Sequence, residues 1–158
     1  MHLIDATPVY APVLARLHAA MFHRPWSEGE FRTLLSSAGV LALLAESEEA
    51  GPVGFVLTRI AADEMEILTI GVRPEQRGEG VGHLLLKHAL AAAAEAGAAQ
   101  AFLEVSVNNH AAVALYTAHE FQITGTRRKY YLEFINNTEK RVDAHIMAKG
   151  LTGLGKTQ

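Results

Sequence analysis

A chain of 158 residues with 49% hydrophobic content is long enough for one domain with a core of its own, and with no cysteine it excludes disulfides, thiolate metal sites and a cysteine nucleophile. A formal net charge of −3 gives no general electrostatic case for nucleic acid. No run of about 20 apolar residues is present to span a bilayer; the alanine-rich stretch at 89–99 is interrupted by Glu95 and Gly97.

Met1-His2-Leu3-Ile4-Asp5 lacks a basic segment followed by an apolar one, so no secretory leader is expected, and a soluble cytoplasmic protein is the default. Leu3-Ile4 reads as a short strand. Thr7 can cap a helix starting near Pro8, in which Val13, Leu14, Leu17, Ala20 and Met21 recur at helical spacing. Phe22-His23-Arg24-Pro25-Trp26-Ser27 breaks it. Ser27 with Glu30 three residues on is a capping box, which predicts a second helix from Glu28 to Leu35. Trp26 between the two helices suits loop packing or a substrate contact. Residues 40–45 and 53–60 are apolar runs on either side of an acidic turn at 46–51, which predicts a hairpin.

Ile67, Leu68, Ile70 and Val72 form a buried-strand pattern that Pro74 stops, since proline has no N–H for a ladder. Arg77-Gly78-Glu79-Gly80-Val81-Gly82 then leads into a helix carried by Leu84, Leu85, Leu86 and Leu90. Glycines at a helix N-terminus leave backbone N–H groups uncovered, at the positive end of the helix dipole, and Arg77 adds a fixed charge beside them. A phosphate-bearing ligand and a purely structural tight turn are both open on this turn alone. A P-loop is excluded, because Gly82 is followed by His83 and Leu84 rather than Lys and Ser or Thr, and the glycine spacing differs from a dinucleotide fingerprint.

Gly97 suits the position just past the helix. Residues 101–105 read as a strand, Asn108 or Asn109 as the cap of a helix over 111–118, and 121–124 as a further strand that can continue to Tyr131. Asn136-Asn137-Thr138 marks a turn and 143–148 a closing strand. The expected domain is 1–150, with a flexible polar tail over 151–158. The order predicts an α/β single domain with a mixed sheet around one parallel crossover.

Two residues stand out for chemistry. Glu104 lies among apolar neighbours in Phe102-Leu103-Glu104-Val105; it either points to solvent by alternation or acts as a general base in a cleft. Tyr116 lies in a short apolar helix, where a core role is the plainer reading. The eight histidines show no His-x-x-x-His pair with a carboxylate, and His83 and His88 are five apart on one helix, so no metal is expected.

The pattern Val72-x-Pro74-x-x-Arg77-x-x-Gly80-x-Gly82 resembles the acetyl-coenzyme A signature of the GNAT acetyltransferase superfamily. Pro25-Trp26-Ser27-Glu28, Leu103-Glu104-Val105 with Asn109 and Tyr116, Arg127-Arg128-Lys129-Tyr130-Tyr131, and Asp143 to Ala148 together resemble the RimI-type protein N-terminal acetyltransferases across residues 3–149. Without that resemblance, Arg127-Arg128-Lys129 reads as a solvated strand face. The resemblance implies a mostly antiparallel mixed sheet flanked by helices, and acetyl transfer from acetyl-CoA to a protein N-terminus, a ribosomal protein's alanine, in a ternary complex. It implies Glu104 as general base and Tyr116 as general acid. Ile70, Gly71 and Val72 would pair with the pantetheine arm. Arg77, Gly78, Glu79, Gly80, Val81, Gly82 and His83 would hold the pyrophosphate, and Asn109, with Tyr116, would contact the coenzyme. Two positions depart from the pattern: Glu120 stands where Gly precedes Phe121, and Ser106-Val107 where an arginine and a small residue are usual. A monomer or weak homodimer, with no nucleic-acid or membrane partner, is expected. An acetyltransferase for a small amine or amino acid, and a non-catalytic coenzyme A-binding regulator, are the alternatives.

Overall fold

The computed structural model describes residues 1–151. Seven strands and four helices run in the order β1 His2–Asp5, α1 Ala11–Met21, α2 Glu28–Leu35, β2 Val40–Ser47, β3 Gly51–Ala61, β4 Glu64–Val72, α3 Val81–Glu95, β5 Gln100–Ser106, α4 His110–Ala118, β6 Gln122–Ile135 and β7 Thr138–Gly150. The strands form one sheet in the order β1-β2-β3-β4-β5-β7-β6, antiparallel throughout except between β4 and β5. The crossover helix α3 makes that parallel pair possible.

The helices cover both faces. On one, Leu85, Leu86 and Leu90 of α3 and Tyr116 of α4 pack on Val56, Ile67, Leu103 and Val105. On the other, Leu14 and Leu17 of α1 and Phe31 of α2 pack on Leu44, Phe55 and Leu57. Ser27 caps α2 as its sequence predicts, its Oγ accepting the Glu30 N–H at 3.1 Å. Thr7 makes no such bond: a 3-10 turn at Pro8–Tyr10 precedes α1, so α1 starts at Ala11 rather than near Pro8.

Two departures from regular pairing shape the centre of the sheet. Leu57 pairs with Thr69 and Thr58 with Ile67, so Leu68 is an extra residue, a bulge. Beyond it Ile70 and Val72 pack on the α3 side, while Gly71 sits against Met21 and Phe55 on the α1 side. Furthermore, β4 and β5 pair only from Glu64↔Gln100 to Glu66↔Phe102 and then diverge, leaving a wedge between Val72 and Ser106.

The C-terminal hairpin is longer than the sequence suggests. β6 runs on to Ile135 and β7 begins at Thr138, joined through Asn136 and Asn137, both at positive φ (51° and 60°). On β7 the extension is polar and exposed over Thr138–Arg141, while on β6 it is Leu132, Glu133, Phe134 and Ile135, mostly half-buried, so no clean apolar alternation marks it. The domain also reaches past 150: the Leu151 N–H donates to Ala99 O at 2.8 Å and its side chain is buried, so Leu151 is not part of a tail. The rest of the expected tail, 152–158, lies outside the described residues.

Candidate active site

The wedge between β4 and β5 opens onto the glycine-rich turn and α4. A cavity of about 260 Å³ there is lined by Ile70, Gly71, Val72, Arg77, Val81, Gly82 and Asn109, all expected from sequence, and by Gln76, Ala111, Ala112 and Leu115, which were not. Of the remaining coenzyme candidates, Gly78, Glu79, Gly80 and His83 belong to the same turn but do not line this cavity.

The turn suits an anion. Gly80 is the N-cap of α3 at φ 84° and no side chain caps the helix; Leu84 N–H to Gly80 O, at 3.0 Å, closes its first turn. The N–H groups of Val81, Gly82 and His83 therefore precede the first helical bond and face outward. A Cβ at Gly78 or Gly80 would meet nothing within 4 Å, so glycine serves the left-handed backbone there and leaves room for a ligand. Arg77 Nε donates to Val72 O at 3.0 Å, which ties the turn to the end of β4. Asn109 Oδ1 accepts the Ala112 N–H at 3.2 Å and so caps α4, settling the choice between Asn108 and Asn109.

A second cavity, of about 650 Å³, shares Asn109 with the first. Its walls are Met21 at the end of α1, Phe22 to Arg24 of the α1–α2 loop and Tyr130 to Phe134 of β6, with Ser106 also lining it. Sequence reasoning raised Pro25-Trp26-Ser27 and the Arg-Arg-x-Tyr-Tyr stretch but assigned none of these residues to the site. Contacts across the mouth join the two walls: Arg24 Nη2 donates to Glu139 Oε2 at 2.7 Å, His23 Nε2 lies 3.8 Å from Glu139 Oε1, and the His23 ring stacks on Phe134 at 4.3 Å. The Arg24 hydrogen bond holds the Glu139 carboxyl below the usual carboxylate range.

Glu104 and Tyr116 line neither cavity. Glu104 faces away from α3, opposite its neighbours Leu103 and Val105, with its side chain 18% exposed. Its Oε1 lies 2.9 Å from Arg127 Nε, and its Oε2 is buried with no partner among the described residues. Tyr116 lies on the other face, buried edge-on against Phe121. Burial, and secondarily Tyr131, push its phenol well up, so it stays protonated through the neutral range.

One buried group escaped the sequence reading. His18 of α1 is enclosed by Phe22, Trp26, Phe31 and Phe55, its ring stacked on Phe22 at 4.1 Å. The Trp26 N–H donates to Nδ1 at 3.1 Å, so Nε2 carries the proton and donates to Thr69 Oγ1 at 3.3 Å. Trp26 is thus a packing residue, and His18 fixes β4 just beyond its bulge. His18 follows Leu14 by four residues, which places it on the buried stripe of α1; that spacing was the available signal.

Among the described residues no group of three or more His, Cys, Asp or Glu side chains is placed to hold a metal ion, and no helix is long and apolar enough to cross a membrane.

Residues 11–121 match the acetyltransferase (GNAT) family. The chain is similar to the ribosomal protein bS18-alanine N-acetyltransferase of Escherichia coli strain K12, with 35% identity over 125 residues covering 78% of this chain and 80% of that one. It is similar also to a putative enzyme of the same name from Bacillus subtilis, 31% identical over 147 residues covering 93% and 90% of the two. The crystal structure of the ribosomal-protein-S18-alanine N-acetyltransferase from Escherichia coli superposes with a TM-score of 0.85 at 27% identity, over 99% of this chain and 97% of that one.

Proposed function

The chain belongs to the acetyltransferase (GNAT) family and is an acetyl-CoA-dependent N-acetyltransferase, and on that premise we propose that its acceptor is the N-terminal α-amine of a cytoplasmic protein, a ribosomal-protein alanine as in its bacterial relatives. The observation that carries this is the pair of cavities meeting at Asn109: one beside an anion-binding turn, the other large enough for several residues of an acceptor. Acetyl-CoA supplies an activated thioester. The uncapped N–H groups of Val81 to His83 hold its pyrophosphate, and the end of β4 at Ile70–Val72, freed from β5 by the wedge, offers backbone groups to its arm and to the reacting carbonyl.

An α-amine with a pKa near about 8 is mostly protonated at neutral pH and must lose a proton before it attacks. Glu104 takes that proton, directly or through water, at Oε2. Tyr116, held protonated by burial, gives one to the departing thiolate. The two lie on opposite faces of the sheet, and Glu104 stands on the part of β5 that borders the wedge. Acid–base help of this kind is worth about 10²–10⁴-fold, with positioning supplying much of the rest. The protein works as a monomer or weak homodimer.

The test is thiol release from acetyl-CoA with peptides beginning in alanine, against free amines. Glu104→Gln should cut kcat by about 10²-fold or more, and Tyr116→Phe should lower kcat with little change in coenzyme binding. Wild-type turnover by Tyr116→Phe would remove that residue from the mechanism. Turnover on free amines alone would move the acceptor to a small molecule.

A further inference from the structure

We infer that Arg127 is a positioning residue for Glu104, and that through Tyr130 it links the Glu104 carboxylate to occupation of the larger cavity. This rests on the reading of Glu104 as proton acceptor. Three observations carry it. Arg127 Nε lies 2.9 Å from Glu104 Oε1, while Oε2 is buried and unpartnered. The Arg127 guanidinium in turn lies over the Tyr130 ring, 4.8 Å from its centroid. Tyr130 is a wall of the larger cavity.

The register explains why these three side chains meet. Ser106 pairs with Ala144 and Ala144 with Arg127, and Glu104 pairs with Ile146, so Glu104 and Arg127 share one face two strands apart. Between Arg127↔Ala144 and Tyr131↔Val142, β6 advances four residues while β7 advances two. The surplus forms a bulge at 128–130, with Lys129 at φ 50° and its N–H donating to Asp143 Oδ1 at 2.9 Å. That bulge turns Tyr130 back over Arg127.

Arg127 is half exposed, and an ion pair with one exposed partner adds little to stability. Its consequence is orientation. The guanidinium occupies one carboxylate oxygen and leaves the other buried and unpartnered, free to take a proton from the acceptor. A buried oxygen without a partner is costly to keep, which an incoming N–H or water would relieve. Among the described residues Arg127 is the one charged side chain within ion-pair reach of Glu104; β7 offers Ala144 and Ile146 to the same face. An acceptor that packs on Tyr130 displaces or tightens the stack and so adjusts the guanidinium that holds Glu104.

The experiment measures kcat and KM for the full chain, with an alanine-terminal peptide, in Arg127→Gln, Arg127→Lys, Tyr130→Leu and the Arg127→Gln/Tyr130→Leu double variant. Calorimetric binding of acetyl-CoA and thermal midpoints accompany it. Expected are a tenfold or greater fall in kcat for Arg127→Gln with the peptide KM within threefold of wild type, coenzyme affinity within twofold of wild type, and partial recovery in Arg127→Lys. The loss in Tyr130→Leu should be smaller and should not multiply with that of Arg127→Gln. A wild-type kcat in Arg127→Gln, with Glu104→Gln inactive, overturns the role of Arg127 and leaves Glu104 standing. Full activity in Glu104→Gln overturns both. Independent, multiplying losses in the double variant overturn the link through Tyr130.

Discussion

Burial lowers the His18 imidazole to about 4 from its ordinary 6.5. The folded state therefore excludes a proton that the unfolded chain accepts below pH 6.5. This contribution to stability is intact above 6.5, declines as pH falls from 6.5 to about 4, and is then fully lost, at up to about 3 kcal/mol. Urea titrations across that window should give a falling midpoint in wild type and a flatter one in His18→Gln; parallel slopes would mean that His18 is not the group responsible. Single residues show where sequence reading succeeds and where it stops. The glycines of the 78–82 turn, the cap Ser27 and the Asn108-Asn109 pair that supplies the other cap were legible, because their chemistry is local and needs a few neighbours in sequence. Glu120 was flagged as a residue in a glycine's place, and it stands at φ 69°, a conformation that costs a side-chain-bearing residue about 1 kcal/mol. The partners of Glu104 and His18 were not legible, since they lie 23 and 51 positions away and depend on bulges that shift the register.

Among the elements, the β2–β3 hairpin was expected from two apolar runs around an acidic turn, but the entry to it holds a constraint that pattern does not reveal. Gly39 sits at φ 80°, its carbonyl accepts the Ile60 N–H at 2.8 Å, and a Cβ built on it would lie 2.3 Å from Ile60 O. Gly51 at the other end of the hairpin has open space around it. Gly39→Ala should therefore cost roughly 2–3 kcal/mol from strain and displaced backbone, and Gly51→Ala clearly less. Chemical denaturation of the two variants checks this, and equal losses would show that the Ile60 contact yields easily. The β6–β7 hairpin shows the opposite limit. Its distal half buries no residue fully, its β7 strand being polar and its β6 strand only half-buried, so its length comes from strand pairing and the Asn136-Asn137 turn rather than from a core.

For the whole molecule, contacts between distant parts of the chain matter most. Arg24 and Glu139 are 115 positions apart, yet their pairing, with His23 on Phe134, joins the first helical connection to the last hairpin. Because these groups are exposed, Glu139→Gln should leave the thermal midpoint almost unchanged while amide exchange over 131–142 and 22–27 quickens. Unaltered exchange would show that the hairpin holds its place through β7 alone. The wedge between β4 and β5 carries a different consequence. Beyond Glu66 and Phe102 the two strands present main-chain edges to each other instead of to solvent. An open edge invites another chain to add a strand, which is how many soluble proteins come to aggregate. Here the edges converge to a ladder at one end, so a thin extended arm can enter but the full length of a foreign strand cannot.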